Sequence, residues 1–339
     1  MNRFDSNTVV LVTGATGFIG QTLTRRLLAL GCQVRTLSRR AALAGPDAQE
    51  TQHFQGDLRD DALLARACDG VDTVFHLAAY AHVNQHDLEQ MRATNVEGTR
   101  LLLDAAVKGG VRRIVFFSSV HADDSQAALT AYGSAKREAE ELLLAAARGG
   151  RIEVCCLRPA NVYGLGMKGN LLTMLRLIER GVFPPLPTPG AAISLVGQRD
   201  LCEAALLAAV APQANGQVYV VTDGRTYTMK GIEVSVRRAL GRSVPRWQTP
   251  LFVLWCGAAA LEVLSRALRL RNAPGLRSYH ALTTDGLFSC EKIQNELGYN
   301  PAAAFTDELP AVLQQLQRGE PSATKTSATK TSATENDQP

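Results

Sequence analysis

An octapeptide near the start of the chain, Thr13 to Gly20 (TGATGFIG), narrows the choice of fold more than any other stretch. It follows the β-branched run Thr8 to Thr13 and opens a helical pattern from Ile19 to Leu30. Gly14, Gly17 and Gly20 remove side chains from the turn, so the backbone can bend tightly and a ligand can approach it. The free N–H groups and the dipole of the helix that follows favour a negative charge there. Glycines alone would give only a flexible loop, but a strand before them and a helix after them make the arrangement that holds a dinucleotide pyrophosphate.

The pattern repeats along the first half. Thr8 to Thr13, Gln33 to Ser38, Asp72 to Ala78, Arg112 to Ser119 and Glu153 to Pro159 read as strands, with a further strand expected before Asp57. Helical stretches separate them at Ile19 to Leu30, Asp61 to Ala67, Asp87 to Val107 and Tyr132 to Ala147. Alternation of this kind predicts βαβ units and a doubly wound parallel sheet. Residues 1–160, with later returning segments, make the expected nucleotide-binding domain, and residues 161–320 a smaller and less regular substrate-binding part. The tail 321–339 repeats SATKT without a large apolar residue and is expected to be disordered.

Composition excludes several function classes. A chain of 339 residues with 46% hydrophobic and 20% charged residues can bury an ordinary core, which argues against a fibrous or wholly disordered protein. The net charge of +4 is spread out, which argues against a nucleic-acid surface. Seven cysteines without a C-x-x-C pair read as buried thiols in a reducing compartment, and the opening residues lack the apolar core of an export signal, so a cytoplasmic protein is expected. The most apolar window, Leu251 to Leu264, contains Glu262 and falls short of the roughly 20 residues that cross a bilayer. It is expected to pack on the substrate-binding part or at a dimer interface. Peripheral membrane contact stays open, because Arg266, Arg269 and Arg271 follow.

Two further sites carry chemistry. Where the second strand ends, an acid would bind the ribose 2′-OH of NAD and a cation the 2′-phosphate of NADP; this chain has Ser38-Arg39-Arg40, which favours NADP. Asp57 either accepts from an adenine amino group or caps the next helix. Tyr132 and Lys136, four apart at a helix start, share one face. An ammonium there stabilises the phenolate, lowers the tyrosine pKa from about 10 and can hold ribose hydroxyls. The histidines His53, His76, His82 and His86 show no ligand spacing, so no metal is expected.

In sequence order, TGATGFIG, GDLRD, HLAA, NVEGTRLLLDAA, FFSS, YGSAK, RPANVYG and EKIQNELGYNP cover about 310 residues. Together they resemble the extended short-chain dehydrogenase/reductase superfamily, in its NAD(P)-dependent sugar epimerase/dehydratase family. The resemblance implies a Rossmann domain carrying NAD or NADP, a C-terminal part closing over a nucleotide-linked sugar, and a homodimer formed through the helices of Asn95 and Tyr132. It implies Tyr132 as acid/base, Lys136 as its electrostatic partner and Ser119 as hydrogen-bond donor to the reacting oxygen. The cofactor would lie against Gly14, Thr16, Gly17, Phe18, Ile19, Ser38, Arg39, Asp57, Leu58, Leu77, Ala78, Ala79, Tyr132 and Lys136. Asn161 would touch the nucleotide-sugar, while Asn95 and Asp200 would be structural.

Departures from the family pattern matter as well. Val120 and His121 stand where dehydrating relatives carry an Asp-Glu pair, which disfavours a dehydratase, and only 12 residues separate Ser119 from Tyr132. Three functions remain: an epimerase or 4-keto reductase of a nucleoside-diphosphate sugar as the leading one, a 3β-hydroxysteroid or dihydroflavonol type of dehydrogenase with an apolar pocket, and a non-catalytic NAD(P)-sensing regulator. The last requires a broken triad, and Ser119, Tyr132 and Lys136 are all present.

Overall fold

Seven parallel strands form the centre of the molecule in a computed structural model, which describes residues 4–40, 46–80, 88–123, 130–188, 190–268 and 275–318. They are β1 (Val9–Thr13), β2 (Gln33–Ser38), β3 (Thr51–Gln55), β4 (Thr73–His76), β5 (Arg113–Phe117), β6 (Glu153–Pro159) and β9 (Gln217–Val221), in the order β3-β2-β1-β4-β5-β6-β9. The chain builds outward from β1 to one side and then resumes at β4 on the other. A crevice therefore opens at the carboxyl ends of β1 and β4, where such sheets bind ligands.

Strand alternation sorts the core into two layers. Val10 and Val12 of β1 face one way, with Leu23 and Leu27 of α1 (Phe18–Ala29) and much of α8 (Gln198–Val210). Leu11 faces the other, with α3 (Asp61–Cys68), α5 (Gly98–Lys108) and α6 (Ala131–Arg148). The helical stretch expected from Asp87 to Val107 runs without a gap over its described part but is not α-helical throughout. Within the described residues it comprises α4 (Leu88–Arg92), a π-helical turn at Ala93–Glu97, and α5. The strand β9, which the sequence pattern did not single out, pairs with β6 from Cys155↔Gln217 to Pro159↔Val221 and brings the C-terminal half back into the sheet.

A second layer sits over the carboxyl ends. It holds a three-stranded sheet of β7 (Asn161–Tyr163), β8 (Ala192–Gly197) and β10 (Thr226–Thr228), together with α7 (Asn170–Glu179), α9 (Met229–Ala239), α10 (Leu251–Ala267), α11 (Leu276–Thr283) and α13 (Phe305–Gln317). Tyr163, Phe305 and Leu175 are buried in its core, with Tyr163 and Phe305 edge to face at 5.5 Å. Six cysteines are buried as expected, but Cys256 is exposed, because the outer face of α10 has nothing packed on it among the described residues. The repeat tail lies outside the described residues.

One buried polar relay joins these parts. Thr99 Oγ1 donates to the Asn95 carbonyl (2.7 Å), so the Thr99 hydroxyl can only accept from His76 Nε2 (2.9 Å). His76 Nδ1 must then accept from Thr13 Oγ1 (2.7 Å), whose oxygen in turn takes the Ala78 N–H (3.2 Å). The geometry fixes His76 as the neutral Nε2–H tautomer, and burial, aided by the Lys136 charge, pushes its pKa down to about 3. An unfolded histidine takes up its proton near 6.5, so this residue's contribution is intact above that pH and is lost as pH falls towards 3. Urea unfolding at stepped pH should show the wild type losing stability below about pH 6.5. His76 alone supplies up to ~1.4 kcal/mol per pH unit, and His76→Gln should fall less steeply; equal slopes would remove His76 from the account.

Candidate active site

The glycine turn is built for close approach of a ligand at its open side. Gly14 has φ +73°, and a Cβ there would lie 2.8 Å from the Ala78 nitrogen, so only glycine lets the turn rest on the end of β4. At Gly20 a Cβ would meet the Gly14 carbonyl and Ala15, so the third glycine seats α1 directly on the turn. The N-cap of α1 is Gly17, with no side chain capping it, which leaves the first-turn N–H groups of Phe18, Ile19 and Gly20 unsatisfied by the helix itself. These features fit a dinucleotide pyrophosphate. Thr16 and Phe18 line a groove of about 670 Å³ between α1, α8 and α13. Leu77 and Ala78 are partly buried beside β4, and Leu58 is held against Gly98 at the start of α5.

At the end of β2, Ser38 is buried and its hydroxyl donates to the Arg40 carbonyl (3.0 Å), while Arg39 is exposed. Asp57 does not cap the next helix. Arg59 holds both of its oxygens (2.8 and 3.3 Å), lowering its pKa, and the cap of α3 is Asp60, which accepts from Leu63 N. The sequence could not show that the guanidinium two residues away would reach back.

Beyond β5, Ser119 caps a short 3₁₀ turn, Val120–Ala122, its Oγ accepting from His121 N (3.2 Å). The hydroxyl of Ser118 is buried and has no partner among the described residues. Thr130 caps α6 by accepting from Gly133 N (3.1 Å), and Gly133 rests on the His121 carbonyl so closely that a Cβ would lie 2.1 Å from it. This contact brings Tyr132 to the turn that Ser119 caps. The Tyr132 ring packs with Tyr80, Met91, Val96 and Ala135, and the Asn95 side chain braces Tyr80 from both sides, accepting from its N (2.6 Å) and donating to its carbonyl (3.1 Å). His121 thus acts through its backbone.

Lys136 is 2% exposed. Its Nζ donates to the Phe117 carbonyl (2.7 Å) and lies 4.5 Å from the Phe116 ring centroid. Glu140, one turn on, is buried with Arg158 clamped on it (2.9 and 2.7 Å), and its charge favours the ammonium; burial outweighs it and brings the Lys136 pKa down to about 8. Burial likewise pushes Tyr132 up to about 12, the reverse of the expected lowering. Three donors with one protein acceptor leave Lys136 N–H groups for ribose hydroxyls, a second fit to the dinucleotide.

Asn161 begins β7, directly after β6, and lines a cavity of about 620 Å³ under α7, α10 and α11. The register Phe117↔Leu157 places Ser119 level with Pro159, two residues before Asn161. Leu171, Met174, Phe183, Leu195, Leu254 and Leu282 give the cavity its walls, and among the described residues Lys168 is its only charged side chain.

Among proteins of known identity, the model of the "NAD dependent epimerase/dehydratase family" matches residues 10–222. The UDP-glucose 4-epimerase of Vibrio cholerae is 30% identical, over 73% of this chain and 79% of that protein. The 3 beta-hydroxysteroid dehydrogenase/Delta 5-->4-isomerase of Mycobacterium tuberculosis is 30% identical over 94% of both. The structure of the UDP-glucose 4-epimerase of Thermotoga maritima, solved with UDP-glucose, has the same fold, with TM-score 0.72 and 20% identity over 92% of this chain and 99% of that one.

Gly133 is the site residue that sequence reasoning missed. Its signal was a glycine inside the first turn of a helix, a placement that costs about 1 kcal/mol against alanine unless close packing requires it. Gly133→Ala should push α6 off the His121 carbonyl and lower kcat of the enzyme by about tenfold or more, with a smaller fall in melting temperature. Steady-state kinetics beside thermal unfolding would test this, and an alanine variant with wild-type kcat would show that the contact positions nothing.

Proposed function

The chain belongs to the NAD-dependent epimerase/dehydratase family of extended short-chain dehydrogenases/reductases, and from that premise we propose that it interconverts a secondary alcohol and a ketone on an apolar, sterol-sized substrate. The observation that carries this reading is the cavity beside Asn161, with apolar walls and a single charged side chain among the described residues. A nucleoside diphosphate would need several cations or free amides to replace its hydration, whereas a fused-ring hydrocarbon needs only shape and apolar area. The steroid-dehydrogenase relative supports it, because that match extends over 94% of this chain, against 73% for the sugar epimerase.

Each residue then has a task. In the oxidising direction Tyr132 Oη takes the hydroxyl proton, and in the reducing direction it returns it. Ser119 donates a hydrogen bond to the reacting oxygen, and Asn161 orients the polar end of an otherwise apolar molecule. Lys136, held at the Phe117 carbonyl, donates its remaining N–H groups to the ribose. The bound dinucleotide supplies the hydride acceptor or donor at its nicotinamide ring. Arg39, exposed where the 2′-position would lie, supports NADP over NAD.

Purified protein incubated with NADP and a 3β-hydroxysteroid should form reduced cofactor, detected by its absorbance. Turnover of UDP-glucose with inert steroids would instead favour the nucleotide-sugar reading. Because burial raises the Tyr132 pKa to about 12, the fraction of phenolate increases with pH throughout the working range. Oxidation should therefore accelerate from neutral to alkaline pH, and reduction should be fastest at the lower end. Tyr132→Phe should lose about 10²–10⁴-fold in both directions while still binding cofactor. Arg39→Ala should raise KM for NADP about tenfold and leave NAD within twofold; equal effects on both cofactors would remove Arg39 from the choice.

A further inference from the structure

The helix α10 is apolar on opposite faces. With 3.6 residues per turn, Leu254, Gly257, Ala258 and Leu261 look into the cavity. Phe252, Trp255 and Val263 fall on the other side, and they are 69%, 49% and 68% exposed. Trp247, just before the helix, is 62% exposed. A soluble surface helix carries polar residues outward, and a helix apolar all round is ordinarily covered by something. In sequence, residues 242–271 hold Arg242, Arg246, Arg266, Arg269 and Arg271 against the single acid Glu262. Glu262 is engaged, accepting from Leu276 N (3.0 Å).

We propose that the outer face of α10, with Trp247 and Arg246 at its start, docks on an anionic lipid surface. The charge pattern selects this occupant. Packing α10 against the same helix of a second copy would bring arginine-bearing ends together in either direction, whereas acidic headgroups complement both ends at once. Aromatic side chains beside cations are suited to the headgroup boundary. The helix lies on the surface, since no helix among the described residues is long and apolar enough to cross a membrane. Docking stands on α10 alone. Its use, which is to place the cavity mouth where apolar substrates dissolve, rests on the apolar-alcohol reading.

The chain has two tryptophans, Trp247 and Trp255, and both lie in this patch, so intrinsic fluorescence reports on it directly. Full-length protein should co-sediment with vesicles of phosphatidylcholine and phosphatidylserine, with a blue-shifted emission that reverses in high salt. Phe252→Glu with Val263→Glu should cut the partition coefficient about tenfold or more, and Arg246→Glu about tenfold. Neither set lines the cavity, so turnover of detergent-dispersed substrate should stay within twofold of wild type. Absence of binding, or binding indifferent to phosphatidylserine, defeats the proposal. So does a blue shift that follows protein concentration without lipid and accompanies a doubling of mass, which assigns the face to a second copy. Loss of steroid turnover with intact vesicle binding would count against the proposed reaction and leave the docking standing.

Discussion

The approach of the Gly14 turn to the backbone of Ala78 sets the geometry on which the rest of the site depends. A side chain on residue 14 would push β4 away from β1 at the point where the cofactor crevice opens. The hydrogen bond from Ala78 N to Thr13 Oγ1 holds that approach, and the relay through His76 and Thr99 carries it to the π-helical turn of Asn95. Asn95 then fixes Tyr80, which packs with Tyr132 against the cluster of Met91, Val96 and Ala135. One run of contacts thus spans the site from the glycine turn to Tyr132, and it requires a neutral, fully buried imidazole.

Burial gives this site its electrostatic character, and it works against charge on both members of the Tyr-Lys pair. Tyr132 is held up at about 12, so the neutral phenol prevails, while Lys136 comes down to about 8 and keeps its charge at neutral pH by a narrower margin. The Glu140–Arg158 pair offsets part of the cost at Lys136, since Glu140 lies one turn away on the same face. In such surroundings a positive charge brought near Tyr132 would act strongly on its hydroxyl.

The second layer adds the apolar half of the design. β7 leaves β6 directly at Asn161, so the polar edge of the catalytic groove and the hydrocarbon walls of the cavity adjoin along a few residues. The helix α10 closes that cavity with one face and presents the opposite face outward. Exposure of Cys256 follows from the same arrangement.

Periodicity and turn chemistry fixed the parallel sheet, the glycine turn and the Tyr132-Lys136 helix, because these depend on local spacing that a sequence displays. The π-helical turn at Asn95 and the strand β9 escaped, since a π-helical turn and a late edge strand are decided by what they pack against. The capping alternative for Asp57 failed because Asp60 takes that place, and Gly133 was overlooked because its purpose is the His121 carbonyl, twelve residues earlier in the chain. By itself the sequence determined the family and, with it, an NAD-dependent chemistry. Only the tertiary structure decided the direction of the tyrosine's pKa, the tautomer of His76 and the apolar nature of the cavity, since each arises from burial and from neighbours far apart along the chain.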